Sequence, residues 1–157
     1  GDPSNDRPVE DPEVHPKANF YGGDIAGIDQ KIDDGFFRSL GMNTLWLSPF
    51  TKNPEDAWGL WDKGGVTTKF SGYHGYWPIS NVVPDGRFGR PEVIRDMLGS
   101  AHEQEMNVLL DYVANHVHQS HPIYQEHPEW ATDLYLPDGS LNTEHWDEHR
   151  LTTWFDT

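Results

Sequence analysis

The stretch Val108-Leu109-Leu110-Asp111-Tyr112-Val113-Ala114-Asn115-His116 constrains this chain more than any other. Its apolar opening suits a short strand buried on both faces, over Val108–Val113. An Asp within such a strand is costly unless it is paired or hydrogen-bonded. The strand then releases Asn115 and His116, followed by Val117-His118-Gln119-Ser120-His121-Pro122. One reading is a capped Asp beside a polar loop. The other is an active-site edge, because α/β folds bind ligands at the C-terminal ends of parallel strands.

The residues ahead of that strand repeat one unit. Ile25, Ile28, Ile32, Phe36 and Leu40 recur at helical spacing, with Gly35 inside the run and Gly41 as a stop. Thr44-Leu45-Trp46-Leu47 follows as a short strand halted by Ser48-Pro49. From Phe50 to about Gly89 the chain reads as one long loop, a length that marks functional or disordered segments. Pro91 suits the first turn of a second helix, and Val93, Ile94, Met97, Leu98, Ala101 and Met106 supply its apolar face. The order helix, strand, long loop, helix, strand, long loop is a βα repeat out of phase. Two parallel strands joined in this way cannot cover their own faces. Residues 1–19 hold four prolines and no hydrophobic period, and read as loop. Beyond His116 the pattern changes: Pro122, Pro128 and Pro137 break it, and Asp138-Gly139 between Leu134-Tyr135-Leu136 and Leu141 predicts a hairpin.

Charge removes some partners. The formal net charge of -15 opposes nucleic acid and anionic membrane surfaces, which need basic patches. No apolar run approaches the roughly 18 residues of a membrane span. There is no cysteine, hence no disulfide framework or thiolate metal site. Aromatics make up 13% of the chain, and many lie in Gly- and Pro-rich loops, where they suit flat ligand faces such as sugar rings.

Three constellations could carry chemistry. His74-Gly75-Tyr76-Trp77 and Asn115-His116 both lie just past strand ends, so the fold would bring them to one face. Aromatic rings with neutral His and Asn suit a pyranose, whose C–H face stacks and whose hydroxyls need donors and acceptors. Each residue alone also fits loop packing. His116, His118 and His121 have a spacing that could bind zinc, and faintly resemble metallo-β-lactamase-type hydrolases, although Ser120 stands where that motif has Asp. Asp2, Asn5, Asp6 and Asp24 are hard oxygen donors beside Gly22-Gly23, a set suited to calcium but also common in turns.

Taken together, the motifs resemble the α-amylase family, glycoside hydrolase family 13. Gly22-Gly23-Asp24-Ile25-Ala26-Gly27-Ile28 resembles the approach to the first barrel helix, and Leu40 to Pro49 the second barrel strand. Tyr73-His74-Gly75-Tyr76-Trp77 resembles the substrate-facing loop after it, and Asp111 to His116 the end of the third strand. The resemblance implies an α/β fold: part of a (β/α)8 TIM barrel, about strands two and three, over residues 1–116. Residues 117–157 would begin a small inserted domain.

It also implies roles. Tyr76 would stack on the sugar at the cleavage subsite, with His74 and Trp77 nearby, and His116 would bond that sugar's hydroxyls. Asn115 would bind a structural calcium. Asp2, Asn5, Asp6 and Asp24 resemble a second calcium site of cyclodextrin glucanotransferases. Asp111 would be a buried orienting group. The implied cofactor is calcium, and the partners are an α-glucan or maltooligosaccharide and the remainder of the chain's own barrel. The implied location is extracellular or periplasmic.

Because the family's nucleophile Asp, acid/base Glu and third carboxylate lie on strands four, five and seven, this stretch is expected to lack them. A whole barrel takes about 250 residues. The expectation is therefore an inactive fragment of a retaining α-amylase-type glycoside hydrolase. The alternatives are a non-catalytic, calcium-stabilised carbohydrate-binding protein on the same fold, and a His-ligated zinc hydrolase.

Overall fold

A computed structural model describes residues 1–132 and 136–140, and the backbone of 153–155. Its centre is a pair of parallel strands, β1 (Thr44–Leu47) and β4 (Asn107–Leu110), in the register Thr44↔Asn107 to Leu47↔Leu110. Two helices, α1 (Ile25–Asp33) and α3 (Pro91–Glu103), pack together over one face of this pair.

The Asp24 side chain caps α1 by accepting from the Gly27 N–H at 2.9 Å. Pro91 starts α3 in the first turn, where its missing N–H costs nothing. Ile25, Ile32, Leu45, Met97, Ala101 and Met106 form the core between helices and strands. Ile32 and Met97 are fully buried, each contributing about 1.5–3 kcal/mol of transfer free energy. The Gln104 side chain donates to the Ile32 carbonyl at 2.8 Å, tying the end of α3 to the end of α1.

Four expectations change. The first helix does not run on to Leu40. Gly35 adopts φ +69°, a left-handed conformation that ends α1's last turn, and a four-residue helix α2 (Phe36–Ser39) follows. The second strand ends at Leu110, so Asp111 lies just beyond it and is half-buried rather than buried. Nor is that strand covered on both faces. Val108 meets the core, but Leu109 is exposed and pairs with Trp46, which is 73% exposed on the face away from the helices.

The fourth change falls in the stretch from Phe50 to Gly89. It contains an antiparallel hairpin, β2 (Trp58–Lys63) and β3 (Val66–Phe70). Gly64 and Gly65 turn it with φ of 65° and 76°, the conformation a tight two-residue hairpin turn demands. The N-terminal segment lies along this hairpin, with the His15 N–H donating to the Thr68 hydroxyl at 2.8 Å.

After β4 the chain forms β5 (His116–Val117), α4 (Pro122–Glu126) and β6 (Ala131–Thr132). Both β5 and β6 pair antiparallel with β7 (Thr153–Phe155). The turn expected at Asp138-Gly139 is present, with Leu136 N–H bonded to Ser140 O at 2.7 Å. Leu134, Tyr135 and Leu141, the arms of that predicted hairpin, lie outside the described residues.

Candidate functional site

Both parallel strands release their chain at the same end, after Leu47 and after Leu110. The Asp111 N–H adds one further bond to Leu47 O at 2.9 Å, which keeps the two exits side by side. The loop 72–78 folds across them. It approaches so closely at Gly75 that a Cβ there would lie 1.9 Å from the Pro49 carbonyl oxygen, and the residue takes φ +83°. Only glycine fits.

Tyr76 stands at the centre of the face. Its hydroxyl donates to Asp111 Oδ2 at 3.0 Å, its N–H donates to His74 Nδ1 at 2.9 Å, and its carbonyl lies 2.9 Å from His116 Nε2. A carbonyl accepts, so Nε2 of His116 carries the proton and Nδ1 faces the Asn115 amide at 3.4 Å. The bond to Asp111 raises the Tyr76 pKa, since a phenolate there could not donate. Burial, with the nearby His116 ring as the lesser cause, lowers His74 to about 4, so its ring is neutral at physiological pH. The rings of His74 and Tyr76 lie nearly parallel, 6.0 Å apart and 22° inclined.

Trp77 faces inward. It is 8% exposed, and its indole meets His74 edge-on at 4.6 Å. It underlies the site rather than lining its open side. Beside Tyr76 and His74 a cleft of about 440 Å³ opens over Trp46, Pro49, Phe50 and Tyr73.

The structure does not gather His116, His118 and His121 into one site. His118 and His121 are buried, and each ring Nδ1 accepts a nearby backbone N–H, from Ser120 and Ile123. The His118 ring packs edge-on to Trp58 at 4.6 Å. Among the described residues, no three His, Cys, Asp or Glu side chains cluster closely enough to hold an ion.

Asp24 and the N-terminal turn do come together. Asp24 Oδ2 accepts from the Asp2 N–H at 2.6 Å and from the Asn5 amide at 3.3 Å. Burial pushes the Asp24 carboxyl up, but these bonds, that from Gly27 and the N-terminal charge together hold it below its usual value. The Asp6 carboxylate lies against Gly22, where a Cβ would come within 2.8 Å of Oδ1. Asn115 is exposed.

Sequence reasoning missed the residues beneath the loop. Asn53, Asp85 and Arg87 are buried and joined by hydrogen bonds. Their partners are up to 34 positions apart, so no local spacing marks them.

A family model described as "Alpha amylase, catalytic domain" matches residues 2–149. The periplasmic α-amylase of Escherichia coli K12 is 35% identical over 121 residues, covering 74% of this chain and 17% of that protein. A cyclomaltodextrin glucanotransferase of Paenibacillus macerans is 30% identical over 112 residues, covering 71% of this chain and 15% of that protein. The crystal structure of an Anoxybacillus α-amylase superposes with a TM-score of 0.66 at 26% identity, over 98% of this chain and 31% of that one. The chain thus spans less than a fifth of the length of these two curated relatives. Among the described residues no helix is long and apolar enough to cross a membrane.

Proposed function

Because this chain belongs to the α-amylase family, we propose that it forms the sugar-positioning part of a retaining glycoside hydrolase acting on α-glucans such as starch or maltooligosaccharides. The observation that carries the reading is the convergence on Tyr76. One aromatic ring, 40% exposed, is held by Asp111 through its hydroxyl and by His74 and His116 through its backbone, at the C-terminal ends of two parallel strands.

That geometry supports the following roles. Tyr76 offers a flat face to a pyranose, and Asp111 fixes the tilt of the ring through the hydroxyl. Neutral His74 holds the Tyr76 N–H without adding charge. At His116 Nδ1 a sugar hydroxyl would replace the long Asn115 contact. Trp77 backs His74 from below. The two carboxyl groups that retention requires, roughly 5–5.5 Å apart, would come from elsewhere in the full-length enzyme. One attacks the anomeric carbon while the other protonates the leaving oxygen. Residues from 117 onward would begin the inserted domain, and the enzyme would work outside the cytoplasm, as the name of the E. coli relative suggests.

Calcium belongs to the same proposal. Among the described residues Asn5 Oδ1 is buried without a hydrogen-bond partner beside the buried Asp24 carboxylate, and the Asp2 and Asp6 carboxylates would have to close in to complete a shell. An orphaned amide oxygen among hard oxygen donors fits calcium rather than zinc. Asn115 would serve a second ion. Calcium at these positions would hold loops in place.

Substitution tests the reading. In the full-length enzyme, Tyr76→Ala and His116→Ala are each expected to lower kcat on maltooligosaccharides, since contacts at the cleaved ring tighten in the transition state. Normal kcat in both variants would overturn it.

A further inference from the structure

We infer that Asn53 is a positioning residue for Tyr76, acting through the two peptide groups that flank it. The inference rests on the sugar-stacking role proposed above for Tyr76.

Asn53 is fully buried, and every polar atom of its side chain is used. Its amide nitrogen donates to the Gly75 carbonyl at 3.1 Å and to the Thr51 carbonyl at 2.9 Å. Its amide oxygen accepts from the Trp77 N–H at 2.8 Å. The orientation is fixed by chemistry. A flipped amide would set NH2 against the Trp77 N–H and oxygen against two carbonyls. One side chain therefore grips the residues immediately before and after Tyr76.

The grip is itself anchored. The Asn53 N–H donates to Asp85 Oδ2 at 3.2 Å, and Arg87 Nη2 donates to the Asn53 carbonyl at 3.3 Å. The opposite wall is Gly72, where a Cβ would come 2.7 Å from the Asn53 Cβ. With Gly75 and Trp77 fixed, the Tyr76 backbone has little freedom, and its side chain reaches out from a rigid base. The hydroxyl bond to Asp111 sets only the far end of the ring. Asn53 sets the near end without touching the sugar.

Rigid placement matters because a shift of about 1 Å in a substrate-positioning group can cost on the order of 10²-fold in rate. Replacing Asn53 by Ala strands two carbonyls and an N–H in a buried place. Replacing it by Ser leaves one hydroxyl, which can answer the Trp77 N–H or a carbonyl but cannot span both.

The test is a double-mutant cycle in the full-length enzyme, reading kcat and KM on a maltooligosaccharide well below the melting temperature of each variant. Asn53→Ala and Asn53→Ser are expected to lose kcat on the order of 10²-fold, with KM changing less. Adding either to Tyr76→Ala is expected to cost little more than Tyr76→Ala alone, because the group being positioned is gone. A merely structural role would lower the melting temperature and leave kcat unchanged, or would multiply with the Tyr76 loss, and either result overturns the inference. If Asn53→Ala does not fold, Asn53→Ser carries the same comparison. If Tyr76→Ala itself leaves kcat unchanged, the sugar-stacking reading fails and this inference with it. A Tyr76 effect combined with independent Asn53 losses sinks the inference alone.

Discussion

Replacing Arg87 by Met should open the floor of the Tyr76 loop, and the structure sets the size of the effect. Arg87 and Asp85 are 5% and 3% exposed. The guanidinium meets the carboxylate in a two-pronged bond, Nε to Oδ1 at 2.8 Å and Nη2 to Oδ2 at 2.6 Å. Nη2 also donates to the Asn53 and Pro54 carbonyls at 3.3 Å, and the guanidinium stacks 3.9 Å from the Phe20 ring centroid. Without it, Asp85 keeps, among the described residues, the backbone N–H groups of Asn53 and residue 87.

Breaking a buried pair on one side costs about 3–5 kcal/mol, and the two surviving donors put this case near the lower end. At about 1.4 kcal/mol per power of ten, the Asn53 amide should exchange with solvent roughly 10²-fold faster. Burial pushes the Asp85 carboxyl up, but Arg87 and the backbone donors outweigh it and hold the pKa below its usual value. A depressed carboxylate pKa gives stability that is present above the unfolded value and lost as pH falls through the folded one. Arg87→Met removes the main cause of that depression. The damage should therefore be greatest at neutral pH and shrink as Asp85 becomes protonated. Native-state hydrogen exchange of the full-length enzyme at neutral and acid pH reads both effects. Unchanged protection at Asn53, or a penalty that grows on acidification, would refute the argument.

Residues 1–157 prepared alone should show no sharp two-state melt, because the Trp46–Leu109 face has no cover among the described residues; a cooperative monomer would contradict this. The same preparation should release no reducing sugar from soluble starch where the full-length enzyme does, and activity abolished by Asp111→Asn would overturn the orienting role given to Asp111. Chelation should lower the melting temperature of the full-length enzyme and calcium should restore it, whereas restoration by stoichiometric zinc alone would point to His116, His118 and His121 instead. Burial lowers His118 to about 4, so between the usual 6.5 and about 4 the unfolded chain takes up a proton that the folded ring refuses. Stability should therefore fall with pH through that window, and His118→Gln should flatten the fall in a thermal-melt series.

Signals confined to one turn or one strand were legible in the chain alone. Ile25, Ile28 and Ile32 place α1, Pro91 and its apolar positions place α3, and Thr44–Leu47 is a strand as its composition demands. Local rules also carried signals that were read too weakly: Gly35 ends a helix and Gly64-Gly65 turns a hairpin, because positive φ costs glycine nothing. Motif order brought His74, Tyr76 and His116 to one face, since parallel strands joined by helices release their loops at the same end. Which partners those side chains meet there depends on contacts between distant segments. Tyr76 meets Asp111 across 35 positions, and Asn53 grips Gly75 and Trp77 across 22 and 24. Trp77, an aromatic in a loop, proved to be a buried prop. Hydrogen bonds and packing between distant segments leave no periodic trace, because each partner's identity is set by the space the fold leaves for it and not by its neighbours in the chain.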